Sequence, residues 1–150
     1  MKIDLFCHIL PPRYFERMTA ISARGAYMQK RIREIPVMVD LDLRFRMMDL
    51  FGDYVQVLSL AAPPLEAQAA AEASPALARL ANDSMAEIVA QHPDRFPGFI
   101  ASMPMNNVEA GLREIDRAVD DLHAAGIQIF TNVSGKALDD PAFLPLFERM

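Results

Sequence analysis

The sequence predicts an α/β fold assembled from parallel βαβ units. Three observations lead there. Apolar runs rich in Val, Ile and Leu alternate with stripes at helical spacing, prolines close the apolar runs, and no helix-free stretch is long enough to suggest an all-β domain. With 150 residues, 52% hydrophobic and 23% charged, the composition is that of one globular domain rather than of a disordered or multi-domain chain.

The first predicted strand runs from Lys2 to Leu10 and stops at Pro11-Pro12, which have no N–H to give to a ladder. Residues 13–39 mix Tyr14, Phe15 and Tyr27 with Arg24, Lys30, Arg31 and Arg33, and read as a helix-containing excursion. Leu41, Phe45, Met48 and Phe51 recur at three- and four-residue steps, with Gly52 as a C-cap. A strand over Tyr54 to Leu60 follows, punctuated by Pro63-Pro64. Leu77, Leu80, Ala81, Met85 and Ile88 form the next stripe, opposite a polar face of Asn82, Asp83 and Glu87, and His92-Pro93 ends it. The third strand is expected from Phe96 to Met103. Asn106 and Glu109 then resemble a capping box ahead of a stripe at Val108, Leu112, Ile115, Val119 and Leu122. Gly126 sits where a C-cap glycine belongs, Ile127 to Thr131 reads as the fourth strand, and Pro141 to Met150 begins another helix.

Two architectures fit this order: an open doubly wound sheet, or the first half of a (β/α)8 barrel, which needs about 250 residues to close. No P-loop, glycine-rich dinucleotide fingerprint or nucleophile elbow occurs, which weakens the first. The chain stops inside an apolar helical pattern at Leu146-Phe147-Glu148-Arg149-Met150, so the expectation is a truncated domain comprising about the first four βα units.

A net charge of -5 without any basic block argues against nucleic acid or an anionic membrane as partner and favours a small molecule. The single cysteine, Cys7, cannot form an internal disulfide, and no paired Cys/His spacing suggests a structural zinc, so the cytoplasm is the expected compartment. Asp4 and His8 interrupt residues 3–10 and no small-residue cleavage site follows, so this segment is neither an export signal nor a membrane span.

In parallel α/β folds the functional residues gather at the carboxyl ends of the strands. Alternation places Asp4, Phe6 and His8 on one face of the first strand and Leu5, Cys7 and Ile9 on the other. His8 is therefore either a hydrogen-bonded structural residue or a ligand, and Cys7 cannot form a dyad with it without a bulge in the strand. His92 at a helix end and His123 on a solvated helix face are poor catalytic candidates, and the methionines are explained by packing.

Ile3-Asp4-Leu5-Phe6-Cys7-His8-Ile9-Leu10-Pro11 resembles the opening Asp-x-His-x-His strand, followed by Pro, of the amidohydrolase-related metal enzymes that include aminocarboxymuconate-semialdehyde decarboxylase and γ-resorcylate decarboxylase. Arg44-Phe45-Arg46-Met47-Met48-Asp49, Val55-Gln56-Val57-Leu58-Ser59, Ala81-Asn82-Asp83, His92-Pro93-Asp94-Arg95-Phe96 and Gly126-Ile127-Gln128-Ile129 resemble the N-terminal half of that family, in order.

The resemblance implies a (β/α)8 barrel with a divalent metal, zinc being the expected ion, held at the carboxyl end by two strand-one histidines and later His and Asp ligands. Residues two apart on a strand present both imidazoles to the barrel mouth. Here Phe6 occupies the first histidine position, so His8 is the one expected metal ligand in this chain, and the catalytic residues are expected beyond residue 150. Three functions follow: a metal-dependent lyase decarboxylating an unsaturated or aromatic carboxylic acid, a metal-dependent hydrolase of the same family, or a metal-free homologue acting in binding or assembly. Phe6, Arg31, Arg33 and Asn132 are the expected substrate-binding residues. An arginine can fork a substrate carboxylate, although solvated surface charge is the alternative for Arg31 and Arg33. The resemblance also implies a homodimer for the complete protein, while residues 1–150 alone are expected to be poorly stable and inactive because edge strands and apolar faces stay uncovered.

Overall fold

The computed structural model describes residues 1–22 and 25–150, without the side chains of residues 26 and 33. Among these residues the order of elements is β1 (Lys2–Ile9), α1 (Pro12–Ile21), α2 (Gly25–Glu34), α3 (Leu41–Asp49), β2 (Tyr54–Leu60), α4 (Ser74–Gln91), β3 (Gly98–Ser102), α5 (Val108–Asp116), β4 (Gly126–Gln128), β5 (Asn132–Val133), β6 (Lys136–Ala137) and α6 (Leu144–Arg149). The strands β1-β2-β3-β4 form one sheet in sequence order, and every pairing in it is parallel. This is the predicted α/β architecture: four parallel strands joined by helical crossovers.

Pro11 and Pro12 act at both ends of one boundary. They end β1, and Pro12 opens α1 at a first-turn position where its missing N–H costs nothing. Asp40 caps α3 by accepting the N–H of Leu43 at 2.8 Å. The C-cap of α3 is Leu50 rather than Gly52; Gly52 lies two residues further on, where the turn passes through φ +70°, a left-handed conformation that favours glycine. The core lies between the sheet and its helices, where Cys7, Ile9, Leu58, Leu60, Phe99 and Ala101 from the strands meet Met18, Met48, Leu77, Ala78, Ala81 and Met85.

Several expectations are corrected. Register in β1 shifts between Asp4 and Cys7: Asp4 pairs with Gln56 while Cys7 pairs with Leu58, so β1 carries one extra residue there. That residue reverses the parity, and Asp4 lies on the helix-covered face with Cys7 rather than beside His8. Asn82, expected on a solvated face, is fully buried, and its side chain binds both backbone polar groups of Ser102. The cap of α5 is Asn107, whose side chain accepts the Ala110 N–H at 3.1 Å; Asn106 instead accepts from the Ser74 hydroxyl and donates to the Ala69 carbonyl.

Beyond Asp116 the helix widens into a π-turn over Arg117–Asp121, which rotates Ala118 into the core and leaves Val119 exposed. The left-handed residue ending this helix is His123, at φ 56°, and Gly126 is the first residue of β4 rather than a cap. β3 and β4 are shorter than predicted: β4 ends at Gln128, residues 129–131 are irregular, and the chain from Asn132 on folds into a β5–β6 hairpin that the sequence reading did not predict. Ser134 and Gly135, both at positive φ, make its two-residue loop, the conformation that matches strand twist in a tight hairpin.

Candidate functional site

His8 closes the carboxyl half of β1, opposite Ser59 of β2 in the parallel register. Its Nδ1 lies 2.8 Å from the Ser59 hydroxyl, and that hydroxyl also donates to the Cys7 carbonyl at 3.3 Å. The Phe6 ring meets the imidazole edge-on, with centroids 4.6 Å apart. Phe6 itself is 82% exposed on the sheet face that the helices leave open. Burial lowers the His8 pKa, with Asp4 opposing and Arg44 assisting, so the ring is neutral near pH 7.

The main chain beneath His8 is held by Arg44 of α3, which is buried. Its Nη2 donates to the His8 carbonyl at 2.6 Å, its Nη1 to Cys7 Sγ at 2.7 Å and to Gln56 Oε1 at 3.0 Å, and its Nε to the Val37 carbonyl at 3.2 Å. Gln56 passes the polarity on: Nε2 donates to the Tyr54 hydroxyl, which donates to Asp4 Oδ2 at 2.7 Å. Cys7 thus faces Arg44 while His8 faces Ser59, and the two do not form a dyad. Burial raises the Cys7 pKa against the opposing pull of Arg44, so the group is a neutral thiol.

A cleft of about 350 Å³ opens beside His8, lined also by Tyr27, Met28, Arg31, Ile35, Met38 and Ala61 to Pro63. His8 and Arg31, far apart in sequence, share its walls. Arg33 lies on α2, and its side chain falls outside the described residues. Asn132 is exposed in β5, where its Oδ1 accepts the Gly135 N–H at 3.0 Å, and neither it nor Phe6 lines the cleft. A second, narrow cavity at the ends of β2, β3 and β4 includes Glu66, Ser102, Gln128 and Phe130. Burial raises the Glu66 pKa.

His8, a neutral imidazole at a strand end, has the donor chemistry that a metal site needs, whereas Phe6 has no donor atom. Among the described residues no three His, Cys, Asp or Glu side chains converge, so these residues do not form a complete ligand set.

Three residues that shape the site, Gln56, Ser59 and Arg44, lay outside the sequence-based candidates. Gln56 was signalled by a lone amide inside an apolar strand. Ser59 and Arg44 had no comparable signal, because their partners depend on register and helix docking.

A protein-family model described as Amidohydrolase matches residues 3–150. The chain is 32% identical over 164 residues to a 2-amino-3-carboxymuconate-6-semialdehyde decarboxylase of Dictyostelium discoideum, covering 99% of this chain and 45% of that protein. It is 39% identical over 109 residues to a γ-resorcylate decarboxylase of a Polaromonas species, covering 73% of this chain and 32% of the other. Among solved structures, 5-carboxyvanillate decarboxylase from Sphingomonas paucimobilis superposes with a TM-score of 0.86 at 27% identity, covering 99% of this chain and 48% of that one. A dihydroxybenzoic acid decarboxylase from Polaromonas, with bound manganese and the inhibitor 2-nitroresorcinol, gives 0.76 at 30% identity over 99% and 45%. The chain spans less than half the length of these relatives.

Proposed function

The chain belongs to the amidohydrolase family, and from that premise we propose that the complete protein is a metal-dependent lyase that decarboxylates an unsaturated or aromatic carboxylic acid. In this reading residues 1–150 are the N-terminal half of a single (β/α)8 domain, the protein is a cytoplasmic homodimer, and the metal is zinc. The observation that carries it is the cleft in which His8 and Arg31 converge at the carboxyl end of the sheet, between apolar walls suited to a small unsaturated or aromatic ring. That the similar proteins named above are decarboxylases supports the same choice of reaction.

Each residue then has a role. His8 holds the metal through its imidazole, and Arg31 binds a substrate carboxylate through paired N–H donors. Met28, Met38, Ile35 and Pro63 supply apolar wall against which a substrate ring packs. When bound, the metal supplies a Lewis acid that orients and polarises a substrate oxygen. In this reading Phe6, Arg33 and Asn132 are further substrate contacts.

The test is release of CO2 by full-length, metal-loaded protein from a panel of dihydroxybenzoic and unsaturated dicarboxylic acids. Arg31→Met should raise KM about 10- to 100-fold, the loss of one charge-assisted contact, without altering the melting temperature. No CO2 from any member of the panel would sink the proposal.

Phe6 favours one second reading: a homologue that binds no metal and keeps the cleft for ligand binding. Metal content of the complete protein separates the two, since a metal-free protein with a ligand-binding cleft supports only the latter.

A further inference from the structure

We infer that Ser59 is a positioning residue, whose hydroxyl holds the His8 imidazole in the Nδ1-protonated tautomer and so leaves the Nε2 lone pair free to ligate a metal ion. That purpose rests on the metal-dependent reading above; the tautomer rests on hydrogen-bond geometry alone.

A serine hydroxyl has one proton to give. Ser59 Oγ has two neighbours, the Cys7 carbonyl oxygen at 3.3 Å and His8 Nδ1 at 2.8 Å. The carbonyl can only accept, so the hydroxyl proton goes to it. Ser59 Oγ then receives a proton from the ring, and Nδ1 carries it. The opposite tautomer would turn the hydroxyl toward Nδ1 and forfeit the contact with the Cys7 carbonyl. Only Nδ1–H satisfies both.

The geometry is rigid on every side. Ser59 is 5% exposed on β2, which has strand neighbours on both edges. The His8 main chain is clamped by Arg44 Nη2 at 2.6 Å, and the Phe6 ring packs edge-on against the imidazole. A metal-ligating histidine commonly has its second nitrogen fixed by such a partner, which settles both ring orientation and tautomer. Ser59 supplies that partner here, and the ring whose tautomer it fixes lines the cleft shared with Arg31.

Nitrogen-15 NMR of the metal-free, full-length protein reads the tautomer directly. Wild type should carry the His8 proton on Nδ1, Ser59→Ala should shift it in large part to Nε2, and Ser59→Thr should restore it. Manganese(II) affinity of the same proteins should fall about 10- to 100-fold in Ser59→Ala and recover in Ser59→Thr. A wild-type proton on Nε2, or a Ser59→Ala variant with unchanged tautomer or unchanged manganese affinity, overturns the assignment. If Ser59→Ala does not fold, the wild-type spectrum still decides. Should the wild type bind no manganese, the metal-dependent reading falls, and the tautomer comparison alone decides the role of Ser59.

Discussion

Arg44 and Arg117 are both drawn into the layer between sheet and helices, and they are neutralised in opposite ways. Arg117 contacts carboxylates directly: Nη2 and Nε donate to Glu114, and Nη1 to Asp83. Those contacts raise its pKa, the Glu114 hydrogen bond foremost. Glu114 in turn accepts from Asn82, which holds the end of β3 through Ser102. Among the described residues Arg44 contacts no carboxylate. Its charge reaches Asp4 only through Gln56 and Tyr54, along a chain in which each group donates to the next. The cluster under β3 is a charge pair serving a structural clamp. The one under β1 is a relay of neutral groups that grips the main chain at His8, so its integrity bears on the site itself.

Breaking the relay should have the largest effect. Arg44→Met leaves the His8 and Val37 carbonyls and Gln56 Oε1 without their donor in a buried setting, and should cost about 3 to 5 kcal/mol in urea unfolding of the complete protein. A loss under 1 kcal/mol would mean that backbone pairing, not Arg44, holds the end of β1.

The clamp under β3 comes next. Asn82→Ala removes both contacts to Ser102 and one to Glu114, for an expected loss of about 2 to 3 kcal/mol, because Arg117 still neutralises the carboxylate. Equal losses in the two variants would erase the distinction between paired and relayed charge.

The smallest effect is a pH dependence confined to the relay. Burial raises the Cys7 pKa in the folded state. The folded protein therefore keeps a proton that the unfolded chain releases, and stability, fully present below about pH 8.5, should decline as pH rises past the ordinary thiol range. Cys7→Ala should flatten that decline between about pH 8 and pH 9.5, below the range where tyrosines ionise. An unchanged slope in thermal melts would assign the alkaline loss to another group.

Much of the fold was legible because it depends on local chemistry. Pro11-Pro12, Pro63-Pro64 and Pro104 end strand segments wherever they occur, and Tyr54-Val55-Gln56-Val57-Leu58-Ser59-Leu60 is a strand on its own composition. His8 at the end of β1 was legible for the same reason. Asp4 was misplaced because one extra residue in β1 reverses alternation, and nothing in Leu5-Phe6 marks it. Val119 was misplaced because a π-turn rotates the face that a regular helix would present. The hairpin had a signal in Ser134-Gly135, outweighed by the apolar run before it.

The sequence by itself determined the order and parallel character of the strands, the family, and a histidine at a strand end facing an aromatic residue where a second histidine was expected. These follow from composition, periodicity and short motifs, which act within a few residues. Only the tertiary structure decided that Arg31 and His8 line one cleft, that Arg44 reaches Asp4 through two neutral side chains, and that the Ser59 hydroxyl lies against the imidazole. Each of those depends on strand register and helix docking, where a displacement of one residue changes every partner.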